Sequence, residues 1–163
     1  MKKVLGIDPG FGRLGWAILE GNKSSQKVVS TGCLETSSKE DLSKRLSEIF
    51  DFISDTVDKY GPDEAAIEEL YYFKNAKTVI GVGQAMGAVI VALEGKGIRN
   101  FRYTPLQVKS TVAGYGRADK KQVQDMTKRL LKLNEIPKPD DAADACAVAL
   151  THFFMNEGLI TDQ

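Results

Sequence analysis

The sequence predicts an α/β protein built on a five-stranded mixed sheet with helices on both faces. Three observations carry this expectation. Short aliphatic and β-branched runs open the chain, helical and strand patterns then alternate, and residues 78–93 carry no charge and must be covered by something. A length of 163 residues suits one domain over residues 1–163, and 42% hydrophobic residues supply a substantial core.

Residues 3–7 read as the first strand and residues 14–20 as the second, joined through Pro9, Gly10 and Gly12, which suit a tight turn. Asp8 is the single charge between these two apolar runs. A lone buried carboxylate costs several kcal/mol unless it is paired, hydrogen-bonded or bound to a metal, so Asp8 marks chemistry. Residues 28–35 complete a three-stranded meander. Ser37, with Glu40 three residues on, forms a capping-box pattern that opens a helix. Leu42, Leu46, Ile49, Phe50, Ile53 and Val57 supply its inward stripe, and Gly61-Pro62 ends it.

Residues 64–70 form a fourth strand that ends in carboxylates and is followed at once by Tyr71, Tyr72 and Phe73. Residues 76–93 then read as a helix apolar on nearly every side, with Gly81, Gly83 and Gly87 spaced to admit another backbone. This stretch is shorter than the ~20 residues of a membrane span and contains Gln84, so no membrane association is expected. One side is expected on the sheet and the other on a second copy of the chain, making a homodimer. A fifth strand spans residues 98–103, a helix residues 105–112 and a glycine-containing loop residues 114–116. Asp119 caps a basic helix reaching about residue 133, with Val123, Met126, Leu130 and Leu131 inward and Lys120, Lys121, Lys128, Arg129 and Lys132 outward. Pro137 and Pro139 precede the last helix, residues 140–155.

The formal net charge of zero hides a segregation. Residues 37–69 hold ten acids against four bases, whereas residues 96–138 hold eleven bases against three acids, which places any polyanion surface in the second half. Cys33 and Cys146 lie in apolar segments without metal spacing and are expected as reduced thiols. No signal peptide pattern is visible, which is the reading of a cytoplasmic protein.

Four acids are out of place for solubility alone. Asp8 ends the first strand, Glu68 lies at the end of the fourth, and Asp141 and Asp144 are one turn apart on the last helix, hence on one face. In open α/β sheets ligands gather at the carboxyl ends of strands. Glu68 and Glu69 face opposite sides of their strand, and the pattern alone leaves open which faces inward. Asp140 and Asp141 also suit helix capping, whereas Asp144 sits among Ala142, Ala143, Ala145 and Ala147, small residues that permit close packing. Converging carboxylates without histidine or cysteine make a hard oxygen site for Mg²⁺ or Mn²⁺. Two such ions ~4 Å apart activate water and stabilise a leaving oxygen in phosphodiester hydrolysis. His152, the only histidine, lies late in the last helix and reads as a packing residue. The Asp-Pro-Gly hairpin also resembles the phosphate-binding turn of the actin and sugar kinase group, but 163 residues leave no room for that group's second lobe.

Five motifs in order carry a further resemblance. They are LGIDPG at residues 5–10, AIEELYYFKNA at 66–76, GQAMGA at 83–88, QVKSTVAGYGRADKKQVQ at 107–124 and DDAADACAVALTH at 140–152. Together, over about residues 3–153, they resemble the RuvC family of crossover junction endodeoxyribonucleases, within the ribonuclease H and retroviral integrase fold group. The resemblance implies a ribonuclease H-like sheet and a homodimer joined through the glycine-rich helix. It also implies a metal-dependent enzyme that resolves four-way (Holliday) junctions by paired symmetric nicks in recombination and repair. By resemblance Asp8, Glu68, Asp141 and Asp144 are the metal-binding catalytic acids, which selects Glu68 over Glu69. Lys109 and Lys120 match positions that contact DNA near the scissile phosphate, and Arg117 and Lys121 extend the same basic set. Tyr71 or Tyr72 matches an aromatic that stacks on a base at the junction centre, a contact of ~1–3 kcal/mol. Tyrosine stands there where phenylalanine is common in the family. The RuvA–RuvB branch-migration complex is the implied protein partner. A junction-binding module without catalysis is the competing reading, and the full set of acids speaks against it.

Overall fold

Alternation along the first strand divides the molecule into two cores. In β1 (Lys2–Asp8), Leu5 and Ile7 enter one hydrophobic cluster while Val4 enters the other. The structure is a computed structural model that describes residues 1–69 and 76–156. Within these, β1, β2 (Arg13–Asn22), β3 (Ser25–Glu35), β4 (Glu64–Glu68) and β5 (Arg99–Tyr103) form one sheet in the order β3-β2-β1-β4-β5. The first three strands form the antiparallel meander, and β4 and β5 join β1 in parallel, giving the mixed sheet.

Helices cover both faces. α1 (Leu42–Tyr60) and α2 (Ala76–Gly95) bury Ile49, Ile53, Ala85 and Val89 against Leu5, Ile7, Ala65 and Ile67. α3 (Pro105–Ala113), α4 (Lys120–Leu130) and α5 (Asp140–Met155) close the other face around Val4, Ala17 and Ala66. Capping boxes open both α3, at Thr104 and Gln107, and α4, at Asp119 and Gln122. Cys33 and Cys146 are free thiols.

Two local expectations at α1 are corrected. Ser37 does not cap α1: its oxygens accept the amides of Lys39 and Glu40 in a local turn, and the helix starts after Asp41. The buried stripe of α1 is Arg45, Ile49, Ile53, Thr56 and Val57, which leaves Leu42 and Phe50 exposed instead of inward. In α4 the inward stripe is as expected: Val123, and Leu131 just past the helix, are buried, and Met126 and Leu130 pack half-buried against the same core, with Gln124 and Thr127 buried beside them.

α2 is two-sided. Val82, Ala85, Val89, Ala92 and Leu93 are buried against α1 and the sheet, whereas Ile80 and Val91 are 62% and 61% exposed on the opposite side. Between them Gly83 and Gly87 also lie open, with nothing within 4 Å of where a Cβ would stand. Thr78–Gly95 is long and apolar enough to cross a membrane by composition, but its inner stripe is committed to the protein core.

Candidate active site

Register and alternation together place the first two acids. β1 and β4 run parallel with Ile7 beside Ile67, so Asp8 and Glu68 leave the sheet side by side at the carboxyl ends of their strands. Leu5, Ile7, Ala65 and Ile67 all point to the α1–α2 core, and period two therefore turns Asp8 and Glu68 to the α5 side. Glu68 stands close enough for its charge to raise the Asp8 pKa. Glu69 turns the other way, where Arg102 lies 3.8 Å from its carboxylate.

α5 supplies the other two acids, and glycine lets it approach. A Cβ on Gly6 would stand 2.2 Å from the Ala145 carbonyl oxygen, and one on Gly15 would stand 2.0 Å from that of Asp141. Only a strand without side chains at these two points admits the helix backbone so closely. Ala142, Ala145 and Ala149 complete the flush contact. Asp141, in the first turn of α5, and Asp144, one turn on, thereby face Asp8 closely enough to act on it electrostatically.

Burial, and after it the crowding of like charge, sets the electrostatics of the site. Burial, followed by the charges of Glu68, Asp144 and Asp141, raises the Asp8 pKa well above the carboxylate range. Glu68 is pushed up to about 7, first by burial and then by Asp144, with Lys109 and Lys120 opposing. Asp144 is raised by burial and partly relieved by Lys120. The Lys120 Nζ lies 3.1 Å from Asp144 and 3.4 Å from Asp140, and the Arg13 Nε lies 3.1 Å from Asp141. Lys109 and Lys120 line a cleft of about 180 Å³ with Glu68 and Asp144.

The donor set is carboxylate oxygen without imidazole or thiolate, which fits a hard divalent cation. Among the described residues no three acids stand close enough to cage an ion as placed. Arg13 on Asp141 and Lys120 on Asp144 supply part of the countercharge that this acid cluster calls for.

The hairpin that follows Asp8 is pinned from outside. Arg45, buried on α1, donates from Nε to the Thr36 hydroxyl at 3.0 Å and holds its guanidinium 3.6 Å above the Phe11 ring. The Thr36 hydroxyl in turn donates to the Phe11 carbonyl at 2.7 Å, and the Thr36 amide to that of Gly12 at 3.0 Å.

Of the remaining expected site residues, Arg117 and Lys121 are exposed near the start of α4, and Tyr71 and Tyr72 lie outside the described residues. His152 is buried, bonded to Glu64 at 2.7 Å and Tyr103 at 2.8 Å, with its pKa lowered by burial despite Glu64. It packs the far end of α5 and takes no part in the acid cluster. Sequence reasoning missed Arg13 and Arg45. Arg45 carried a usable signal, since it stands four residues before Ile49 and eight before Ile53 on the inward stripe.

The family model described as crossover junction endodeoxyribonuclease RuvC matches residues 4–152. The chain is 52% identical over 152 residues to the crossover junction endodeoxyribonuclease RuvC of Finegoldia magna, covering 93% of each chain. It is 46% identical over 159 residues to that of Caldicellulosiruptor saccharolyticus, covering 97% of this chain and 96% of the relative. Thermus thermophilus RuvC, solved in complex with a Holliday junction substrate, superposes with a TM-score of 0.91 at 34% identity, covering 94% of each chain. Family model, relatives and superposition agree over nearly the whole length, and the chain belongs to the crossover junction endodeoxyribonuclease RuvC family.

Proposed function

We propose that Asp8, Glu68, Asp141 and Asp144 bind Mg²⁺, with Mn²⁺ as a working substitute, and that this site hydrolyses backbone phosphodiesters at a four-way DNA junction. Family membership makes the chain a structure-specific DNA endonuclease of recombination and repair. The observation that carries the site assignment is the side-by-side exit of Asp8 and Glu68 from parallel strands beneath Asp144. Bound divalent ions supply an activated water and charge stabilisation for the leaving oxygen. The chain's own residues do the rest. Asp8 and Glu68 would hold the cation as carboxylates, and Lys109 and Lys120 would neutralise the phosphate presented at the cleft. Cleavage of a synthetic four-way junction in Mg²⁺ and none in EDTA is the expected result; no cleavage with either ion would sink the assignment.

Lys120→Ala should weaken junction binding about equally for all sequences and lower the salt slope by about one, because the lysine meets phosphate and reads no base. Binding measured by anisotropy across a salt series checks this. Tyr71 or Tyr72, next to the site in sequence, supplies the stacking surface for a base at the junction centre.

The working unit is a homodimer joined through the outer side of α2. Ile80 and Val91 are exposed there, and Gly83 and Gly87 leave a shallow track for a second backbone. Two copies related by a two-fold axis place two acid clusters on one junction, as paired symmetric nicks require. Sedimentation at micromolar concentration should give a dimer, and Ile80→Asp should raise its dissociation constant at least about tenfold, the loss of one buried aliphatic side chain. Docking with the RuvA–RuvB branch-migration complex, in the cytoplasm, completes the reading.

A further inference from the structure

Lys120 forms the shared wall of two clefts. On one side lies the cleft with Lys109, Glu68 and Asp144. On the other, Arg13 from the β1–β2 hairpin and Lys138 from the segment before α5 join Lys120 around Asp140 and Asp141 in an open cleft of about 840 Å³. Three cations from three separate parts of the chain thus converge beside the acid cluster. Lys138 has no role in anything described above, and Arg13 has only its ion pairs with Asp141 and Glu35.

A DNA strand whose phosphodiester lies against Asp8, Glu68 and Asp144 must continue past the acids in both directions. Lys109 meets it on one flank. The flank beyond Asp141 is the Arg13–Lys138 cleft, and among the described residues Lys120 is the one further basic side chain that lines it. We propose that Arg13 and Lys138 bind the backbone phosphate adjoining the scissile one, and that Arg13 leaves Asp141 to do so when a divalent cation takes that carboxylate. This rests on the reading of the acid cluster as a metal-dependent nuclease site. Arg13 is suited to the exchange. Its side chain is half-exposed, its Nε lies 3.1 Å from Asp141, and its outer nitrogen lies 3.7 Å from the exposed Glu35. Exposed ion pairs of this kind are weak, whereas a guanidinium meets two phosphate oxygens in parallel. Arg13 therefore has two occupations, a weakly held carboxylate before cation binding and a phosphate after it.

The two occupations predict effects of opposite sign. In the full chain with its four acids intact and Ca²⁺ in place of Mg²⁺, an oxygen-seeking cation used here to fill the site without driving cleavage, Arg13→Gln and Lys138→Gln should each lower the salt slope of binding to a synthetic four-way junction by about one, and Arg13→Lys should restore it. In the chain with Asp8 intact and without DNA, Mn²⁺ alone, followed by electron paramagnetic resonance, should bind Arg13→Gln about two- to fivefold tighter than wild type, because a competing cation is gone. An unchanged salt slope in both glutamine variants overturns the phosphate site. Weaker Mn²⁺ binding by Arg13→Gln overturns the exchange, since Arg13 would then be a support for Asp141. Wild type that cleaves the junction while these variants behave as wild type refutes only this inference, whereas wild type inert in Mg²⁺ refutes the nuclease reading itself.

Discussion

Asp8→Asn removes junction cleavage by about 10³-fold or more and leaves junction binding in place, because a cation at the site supplies several kcal/mol of transition-state stabilisation that the amide no longer secures. Single-turnover cleavage and equilibrium binding on the same junction separate the two effects. Normal turnover would remove Asp8 from the mechanism. The same substitution should stabilise the metal-free protein. Asp8 and Glu68 have folded-state pKa values raised first by burial and then by neighbouring carboxylates, Glu68 and Asp144 acting on Asp8 and Asp144 on Glu68, with Glu68 at about 7. Such groups contribute stability that is full below their unfolded values, near pH 4, and is lost as pH rises through their folded values. In EDTA the difference in melting temperature between Asp8→Asn and wild type should accordingly be larger at pH 8 than at pH 5. Adding Mg²⁺ at pH 8 should raise the wild-type melting temperature and leave the variant nearly unmoved.

Gly15→Ala should destabilise the fold by about 2–4 kcal/mol, the upper range for an overpacked site. The added methyl would stand 2.0 Å from the Asp141 carbonyl oxygen and 3.0 Å from its Cβ. Neither atom can move without shifting the first turn of α5 away from the sheet. For a chain of this length the melting temperature should fall by roughly 5–15 °C. Cleavage should fall further than the folded fraction does, since the displaced turn carries Asp141. A variant with wild-type melting and wild-type cleavage would mean that α5 does not rest on β2 as described.

The two relaxed expectations at α1 and the missed cations have one origin. Ser37 and Glu40 match a capping box, yet the Ser37 oxygens close a turn before the helix begins, a competition between neighbours that residue types alone do not rank. Arg45 counted as one base in an acidic stretch, whereas in the fold its guanidinium is buried on Phe11 and bonded to Thr36, residues 34 and 9 positions away. Arg13 carries no local signal, and its meeting with Asp141 spans most of the chain.

By itself the sequence determined the order of elements, the mixed α/β class and the four acids that stand out, because period-two and period-3.6 patterns are local and a carboxylate in an apolar frame is conspicuous anywhere. Only the tertiary structure decided which of Glu68 and Glu69 meets Asp8, which cations hold Asp141 and Asp144, and which side of α2 stays open. Those outcomes depend on the β1–β4 register and on how closely α5 settles over Gly6 and Gly15. Strand register and helix depth are set by packing between segments far apart in the chain, and no local pattern carries that information.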